Sequence, residues 1–200
     1  EQKLLQTTSQ EDSESVEETE KSYENYNYVD NSINNDEQEN EQDISAILKR
    51  AEEFEKENNF EEACKLYNIV IESIHKEENQ ALYASIMNKI GICHHHAGRL
   101  QTAVDVFNKA IDIYKGLNEN NKANLISLNI AKVYSDAYKH DIALELYFNL
   151  LNNHRSTLSD QAIAEISAGI ADIYDYQEDF DNSLHYYNEA LAKAIKATNL

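Results

Sequence analysis

The sequence repeats itself every 40 residues, and this period constrains the fold more than any other feature of the chain. A column of small residues recurs at Ala51, Gly91, Ala131 and Ala171. Sixteen positions after each of them stands an aromatic residue, at Tyr67, Phe107, Tyr147 and Tyr187. A fixed period of 20–50 residues is typical of a solenoid, because a unit of that length cannot bury its apolar face without a neighbour to stack on.

Each 40-residue unit is predicted to hold two amphipathic helices. Apolar residues recur at i, i+3, i+4 and i+7, the spacing that places them on one face of a helix. The first helix of the third unit shows this pattern at Ile126, Ile130, Val133 and Tyr134. Small residues such as Ala131 and Ala143 let the paired helices approach closely. The chain has no proline to interrupt a helix, and Gly98 suits the left-handed position that ends one.

Residues 1–42 differ from the rest in composition. They hold 13 acidic side chains against Lys3 and Lys21, in a chain whose net charge is -20. Their apolar residues are isolated, so the segment cannot bury enough surface to offset the entropy of ordering it. We expect a mostly disordered, low-complexity acidic tail over 1–42 and a helical domain over 43–200. Because an acidic surface repels phosphate groups, nucleic acid and bare membrane are poor candidate partners.

The repeat columns resemble the tetratricopeptide repeat. Its signature is a Leu-Gly pair, a Tyr three residues later, and then an Ala followed by a Phe four residues on. The second unit shows this order in Ile90, Gly91, His94, Ala103 and Phe107. The resemblance covers about residues 43–198 and is closest to the longer-repeat branch of the family. It implies an all-α, right-handed α-solenoid of four helix-turn-helix repeats (eight helices), at about 43–78, 79–119, 120–158 and 159–198.

The two ends of the array differ. In the first repeat, Arg50 and Glu53 stand where the other repeats have apolar residues, so no earlier repeat is expected to stack there. In the last helix, Leu184 and Leu191 keep the apolar pattern, and a solenoid needs a polar element to cover such a face. We therefore expect the array to continue or be capped beyond residue 200, or to self-associate through its last helix.

The resemblance also implies a concave groove, lined by the first helix of each repeat, that binds an extended or helical peptide. Asn129 offers an amide that can donate and accept at once, which suits a peptide backbone. Lysines there would meet a carboxylate, and aspartates would meet a basic residue of the ligand. The candidate groove residues are Lys49, Asn88, Lys89, Ile92, His96, Leu125, Asn129, Lys132, Asp172 and Asp175.

The sequence shows no motif for catalysis or for binding a cofactor. It has no phosphate-binding glycine loop, nucleophile elbow or Cys-x-x-Cys pair. Three successive histidines, His94 to His96, point about 100° apart on a helix and so cannot share one metal ion. Cys64 and Cys93 fall in helical core columns, where a free thiol packs as a small apolar group. We therefore predict that the protein is not an enzyme and has no catalytic residue, cofactor or metal site.

These observations predict a protein–protein interaction module, or scaffold, whose partner is another protein or a peptide. Two alternatives stay open: a peptide-sensing regulatory module of a larger signalling protein, and a self-associating structural repeat protein. A third possibility is self-inhibition, with the acidic tail lying against Lys49, Lys89 and Lys132. No apolar run reaches the ~18 residues of a membrane span, and we expect a cytoplasmic location.

Overall fold

The computed structural model describes residues 31–74 and 76–198, and for residues 31–42 it describes the backbone alone. These residues form eight α-helices and no β-strand. The helices are α1 (Asn31–Lys56), α2 (Phe60–Ser73), α3 (Gln80–His96), α4 (Leu100–Gly116), α5 (Asn120–Asp136), α6 (His140–His154), α7 (Asp160–Tyr176) and α8 (Phe180–Thr198). A single turn of 3₁₀ helix, Arg155–Thr157, follows α6. Contacts divide the chain into Glu1–Asp43 and Ile44–Leu200, and the description below concerns the second unit.

Consecutive helices pair into four helix-turn-helix repeats, α1–α2, α3–α4, α5–α6 and α7–α8, which confirms the predicted α-solenoid. The columns of small residues explain how closely the helices pair. Ala131 of α5 and Ala143 of α6 are completely buried. A Cβ atom built on Gly91 of α3 would lie 2.5 Å from the ring of Phe107 in α4. At that crossing only glycine leaves room for the buried aromatic ring.

The core lies between repeats as well as within them. Phe107 of α4 packs with Ile126 and Ile130 of α5, in the next repeat. In the same way, Tyr147 of α6 packs with Ile166 of α7. Full burial of a large apolar side chain contributes about 1.5–3 kcal/mol. The second helices α4 and α6 are therefore stabilised by the first helix of the repeat that follows as well as by their own partner helix.

The four turns inside the repeats share one geometry. Their left-handed residues, with φ between 56° and 72°, are Asn58, Gly98, Tyr138 and Glu178. In each turn the next amide N–H donates to the carbonyl oxygen five residues back, as from Arg99 to His94 at 2.9 Å. This bond satisfies a carbonyl group at the end of the first helix. The predicted left-handed conformation of Gly98 is confirmed, and the other three repeats hold non-glycine residues at the same position.

Helix α1 begins at Asn31, inside the segment that the sequence predicted to be a disordered tail. The structure differs from the prediction over residues 31–42, whose backbone is helical. The physical reason is that a helix already formed by later residues extends without a new nucleation step into a sequence rich in glutamate and glutamine. The remainder of the predicted tail, residues 1–30, lies outside the described residues.

Helix α8 covers α7 with one side and presents apolar side chains on the other. Ser183 and Ala190 are buried against the preceding helix, whereas the side chains of Leu184, Leu191 and Ile195 are exposed. None of the eight described helices combines the length and the apolar character needed to cross a membrane.

Candidate functional site

The first helices of the repeats, α1, α3, α5 and α7, contact one another through polar side chains. We call the surface that carries these contacts the first-helix face, and define it by Glu55, Asn88, Lys89, Asn129, Lys132 and Glu165. The contacts arise because stacking brings neighbouring first helices side by side. Of the three contacts that define this face, two are ion pairs and the one between them is a pair of amides; a further contact between α3 and α5 joins His95 Nε2 and Asp136 at 2.7 Å.

The first contact joins repeats one and two. The Lys89 ammonium lies 2.8 Å and 3.0 Å from the two carboxylate oxygens of Glu55. The hydroxyl of Tyr67, on α2, donates to the same carboxylate at 2.8 Å. Burial of the Tyr67 ring, and then the nearby Glu55 charge, raise the pKa of the tyrosine, so its hydroxyl keeps its proton and remains a donor. The three side chains tie α1, α2 and α3 together.

The middle contact joins repeats two and three. The amide nitrogen of Asn129 donates to the amide oxygen of Asn88 at 3.0 Å, and both side chains are half-buried. This bond uses one donor of Asn129 and one lone pair of Asn88. An asparagine amide has two N–H donors and two carbonyl lone pairs, so each side chain keeps bonding capacity for a third group.

The third contact joins repeats three and four. The Lys132 ammonium lies 2.6 Å from one oxygen of Glu165, and the Gln161 amide donates to the other oxygen at 3.0 Å. Partial burial acts to raise the pKa of Glu165, but the hydrogen bonds from Lys132 and Gln161 outweigh it and hold the pKa below its usual value. Glu165 is therefore a carboxylate at neutral pH.

A cleft of about 210 Å³ opens between α5 and α7, beside this third contact. The residues that line it are Leu125, Leu128, Asn129, Ser159, Gln161, Ala162 and Glu165. Leu125 is 45% exposed, which gives the cleft an apolar side accessible to a ligand. Pockets for drug-sized molecules have volumes of about 300–1,000 Å³, so this cleft suits one side chain of a longer ligand.

The predicted groove residues fall into two groups. Those that the structure brings into the first-helix face or its cleft are Asn88, Lys89, Leu125, Asn129 and Lys132. The others lie elsewhere: Ile92 packs against the core between repeats two and three, and His96 stacks on Phe60 with ring centroids 3.8 Å apart. Asp172 accepts a hydrogen bond from Tyr187 of α8 at 2.5 Å. Lys49 and Asp175 are exposed.

Three residues that make these contacts are not among the candidate groove residues. Glu55 and Glu165 complete the ion pairs of Lys89 and Lys132, and Gln161 donates to Glu165. Glu55 lies 34 residues before its lysine, Lys89. A search for acidic residues about one repeat away from each lysine on a first helix would have identified it.

The histidines and cysteines have structural partners. Arg99 donates to Nδ1 of the half-buried His94 at 2.8 Å, and partial burial together with the Arg99 charge lowers the pKa of that histidine. Cys64 and Cys93 are both buried, as predicted. Within residues 43–74 and 76–198, no group of three or more side chains is placed to hold a metal ion.

Two stretches of the chain match family models of the tetratricopeptide repeat. One model matches residues 43–116, which contain the first two repeats, and another matches residues 164–192, in the last. No curated protein sequence matches the chain.

Solved structures of low sequence identity share the fold. BtubC (BKLC) from P. vanneervenii superposes with a TM-score of 0.62 at 13% identity, over 78% of this chain and 65% of that one. MamA superposes with a TM-score of 0.53 at 16% identity, over 78% of this chain and 81% of that one. A putative kinesin light chain of Podosopora anserina with nearly identical TPR-like repeats superposes with a TM-score of 0.55 at 14% identity, over 76% of this chain and 75% of that one. The chain thus spans less than two thirds of the length of the BtubC structure.

Proposed function

The chain belongs to the tetratricopeptide repeat family, a family of protein-interaction scaffolds, and from this premise we propose that it binds an extended or helical peptide segment of a partner protein on its first-helix face. The observation that carries the proposal is the Asn88–Asn129 pair, which lies between two ion pairs and borders a cleft. These elements supply backbone recognition and a place for one side chain.

The asparagine pair suits the backbone of an extended peptide. Such a backbone presents N–H donors and C=O acceptors in alternation. Asn88 and Asn129 are already held in place by the bond between them, so a ligand does not have to order two free side chains. Each hydrogen bond to the ligand would contribute about 0.5–1.5 kcal/mol, and this preorganisation reduces the entropic cost of binding.

The ion pairs leave the face with little net charge of its own. The Lys89 charge is offset by Glu55, and the Lys132 charge by Glu165. A ligand is therefore selected by hydrogen bonding and by the side chain it places in the cleft against Leu125, more than by its total charge. The lysines and acids remain close enough to the asparagines to contact polar side chains of the ligand.

The proposal involves binding without chemistry. The polar groups of the face are engaged with one another, and we propose no catalytic residue, cofactor or metal for it. The partner is a protein or peptide, and the acidic composition of the chain argues against nucleic acid or a bare membrane surface. Regulation by a sensed peptide remains an alternative prediction.

The experiment is a selection of displayed random peptides, of about a dozen residues each, against the full chain. Affinities of the selected peptides are then measured for a double variant, Asn88→Ala with Asn129→Ala. Loss of two side-chain amides is expected to weaken binding about 5- to 100-fold. Thermal melting of the variant by circular dichroism checks that it is folded.

A matched control comes from the second helices. Asn108 of α4 and Asn149 of α6 are exposed asparagines away from the first-helix face. The double variant Asn108→Ala with Asn149→Ala carries the same chemical change and is expected to bind the selected peptides with unchanged affinity. If both double variants bind as tightly as the wild type, the peptides bind elsewhere and the proposed function is wrong.

A further inference from the structure

Exposed aromatic rings form a cluster at the turn edge of repeats three and four, separate from the first-helix face. Tyr138 lies in the turn between α5 and α6, His140 begins α6 and Tyr176 ends α7. The ring centroids of His140 and Tyr176 are 4.6 Å apart, and Tyr138 lies 5.8 Å from Tyr176 and 5.9 Å from His140. We call these three residues the turn-edge cluster. Tyr138 is 73% exposed and Tyr176 is 65% exposed.

The burial of these two tyrosines is too small to explain the cluster as part of the core. The buried aromatic residues of the repeats, such as Phe107 and Tyr147, are almost completely shielded from solvent. In contrast, Tyr138 and Tyr176 leave most of their surface in water, and His140 between them is half-buried. Phe180, which begins α8 four residues after Tyr176, adds a further exposed ring at this edge. Exposed apolar surface of this kind marks an interaction site.

The backbone of Tyr138 points to the same conclusion. Its φ is 56°, in the left-handed region, where a bulky residue is strained by its Cβ atom. The same turn position in the second repeat holds Gly98, which has no such strain. Tyrosine at this position is more strained than glycine would be, and its ring gains little burial in return. The turn geometry, which all four repeats share, therefore does not explain why a tyrosine stands here.

The charges around the cluster specify the kind of partner. Four exposed acidic residues stand beside it in sequence: Asp136, Asp141, Asp175 and Glu178. One of them, Asp136, already lies 2.7 Å from Nε2 of His95, so the other three are the carboxylates open to a partner. The Lys139 ammonium lies 5.6 Å from the centroid of the Tyr134 ring. The corresponding turn of the second repeat, residues 96–101, contains no acidic residue and carries Arg99. Aromatic rings and negative charge therefore occur together at this edge, whereas the turn of the second repeat has a stacked ring, His96 on Phe60, with Arg99 and no acidic residue.

We propose that the turn-edge cluster is a second docking site, which binds an arginine-bearing segment of a partner protein. A guanidinium group stacks on tyrosine faces through cation–π contacts and pairs with carboxylates at its edge. Arginine is favoured over lysine because its planar, weakly hydrated group can make both contacts at once. Residues 1–42 of the chain itself, with their excess of acids, carry the wrong charge for this site. The proposal is independent of the first-helix face.

The test uses a short fluorescein-labelled peptide of alternating arginine and serine, titrated with the full chain and followed by fluorescence anisotropy. The same peptide with lysine in place of arginine is expected to bind more weakly, since it loses the stacking contacts. In the chain, Tyr138→Gly with Tyr176→Ala removes two rings without changing the net charge. This variant is expected to bind the arginine peptide about 5- to 30-fold more weakly.

The glycine substitution separates binding from folding. Tyr138→Gly relieves a left-handed tyrosine, so the single variant is expected to melt at a higher temperature while binding the peptide more weakly. Asn118→Gly makes the same backbone change at another left-handed residue, φ 59°, away from the cluster, and should leave binding unchanged. Loss of the two rings without loss of affinity would overturn the proposal, because attraction to the acidic chain alone would then explain binding. Loss of affinity in the Asn88→Ala, Asn129→Ala variant would also overturn it, by placing the peptide on the first-helix face.

Discussion

Helices α4 and α8 have the same apolar pattern and very different surroundings. Phe107 of α4 is completely buried, whereas Tyr187, at the equivalent position of α8, is 40% exposed. Ile111 is 5% exposed, and its equivalent Leu191 is 61% exposed. Helix α4 is covered by α5 of the next repeat, and among the described residues no ninth helix covers α8 in this way. The difference shows that the buried state of a second helix depends on its neighbour and not on its own sequence.

The comparison has consequences for stability. In a repeat array, the free energy of unfolding is approximately a sum over repeats and over the interfaces between neighbours. Helix α4 takes part in the interface with the next repeat through α5, and α8 contributes its apolar side to no such interface among the described residues. We therefore expect α8 to open more readily than α4. The three predictions that follow test this difference, from the largest expected effect to the smallest.

The largest effect on stability is expected from truncating aromatic side chains of the second helices. Phe107→Ala removes a completely buried ring and should lower the free energy of unfolding by about 3–5 kcal/mol. Tyr187→Ala removes a partly exposed ring and one hydrogen bond to Asp172, and should cost about 1 kcal/mol. Urea denaturation of both variants measures the difference. Equal losses would mean that the two helices are equally well covered in solution.

An intermediate effect is expected where helices cross closely. A Cβ atom on Gly91 would lie 2.5 Å from the Phe107 ring, so Gly91→Ala should destabilise the protein by about 1–3 kcal/mol through overpacking. A Cβ atom on Gly116, at the end of α4, would meet no packed neighbour within 4 Å. Gly116→Ala is the matched control and should raise stability slightly, by up to about 1 kcal/mol. The melting temperature is expected to fall in Gly91→Ala and to rise slightly in Gly116→Ala. A rise in Gly91→Ala would contradict the packing described for α3 and α4.

The smallest effect is expected from the ion pair between repeats three and four. Because the pKa of Glu165 is lowered in the folded protein, the stabilisation by Lys132 is present above the unfolded value of about 4.5 and is lost as pH falls through the lowered pKa. Both side chains are partly exposed, so Lys132→Met should cost about 0.2–1 kcal/mol at pH 7 and less at pH 3. Urea denaturation at the two pH values checks this. A cost of Lys132→Met that grows towards acid pH would contradict the assignment of Glu165 as the charged partner of Lys132. It would also weaken the view that apolar cover contributes more to the free energy of unfolding than this ion pair does.

The repeat period made the fold predictable from sequence, and it made part of the site predictable too. Burial of Ala131 and Phe107 can be predicted by aligning the repeats, because equivalent positions in each repeat pack against the same neighbouring helices. The contact between Asn88 and Asn129 could not be derived in the same way, since it depends on the axial offset between neighbouring first helices. Asp172 illustrates the limit: its spacing suits the groove, but the nearby Tyr187 hydroxyl draws it towards α8.

The turn geometry was also only partly predictable. Gly98 signals a left-handed residue by its identity, whereas Tyr138 adopts the same conformation against its own preference. The surrounding repeat imposes that conformation, because the helices on both sides of the turn are fixed by their packing. Self-association through the apolar side of α8 stays a prediction from the sequence, as do the domain boundaries and the cytoplasmic location.

The most direct test of the central claim is amide hydrogen exchange of the full chain with and without a peptide selected from the displayed library. Binding on the first-helix face predicts slower exchange in α3, α5 and α7, around Asn88, Asn129 and Glu165, with little change in α4 and α8. Protection confined to α8 would contradict the account and would identify the uncovered last helix as the binding surface.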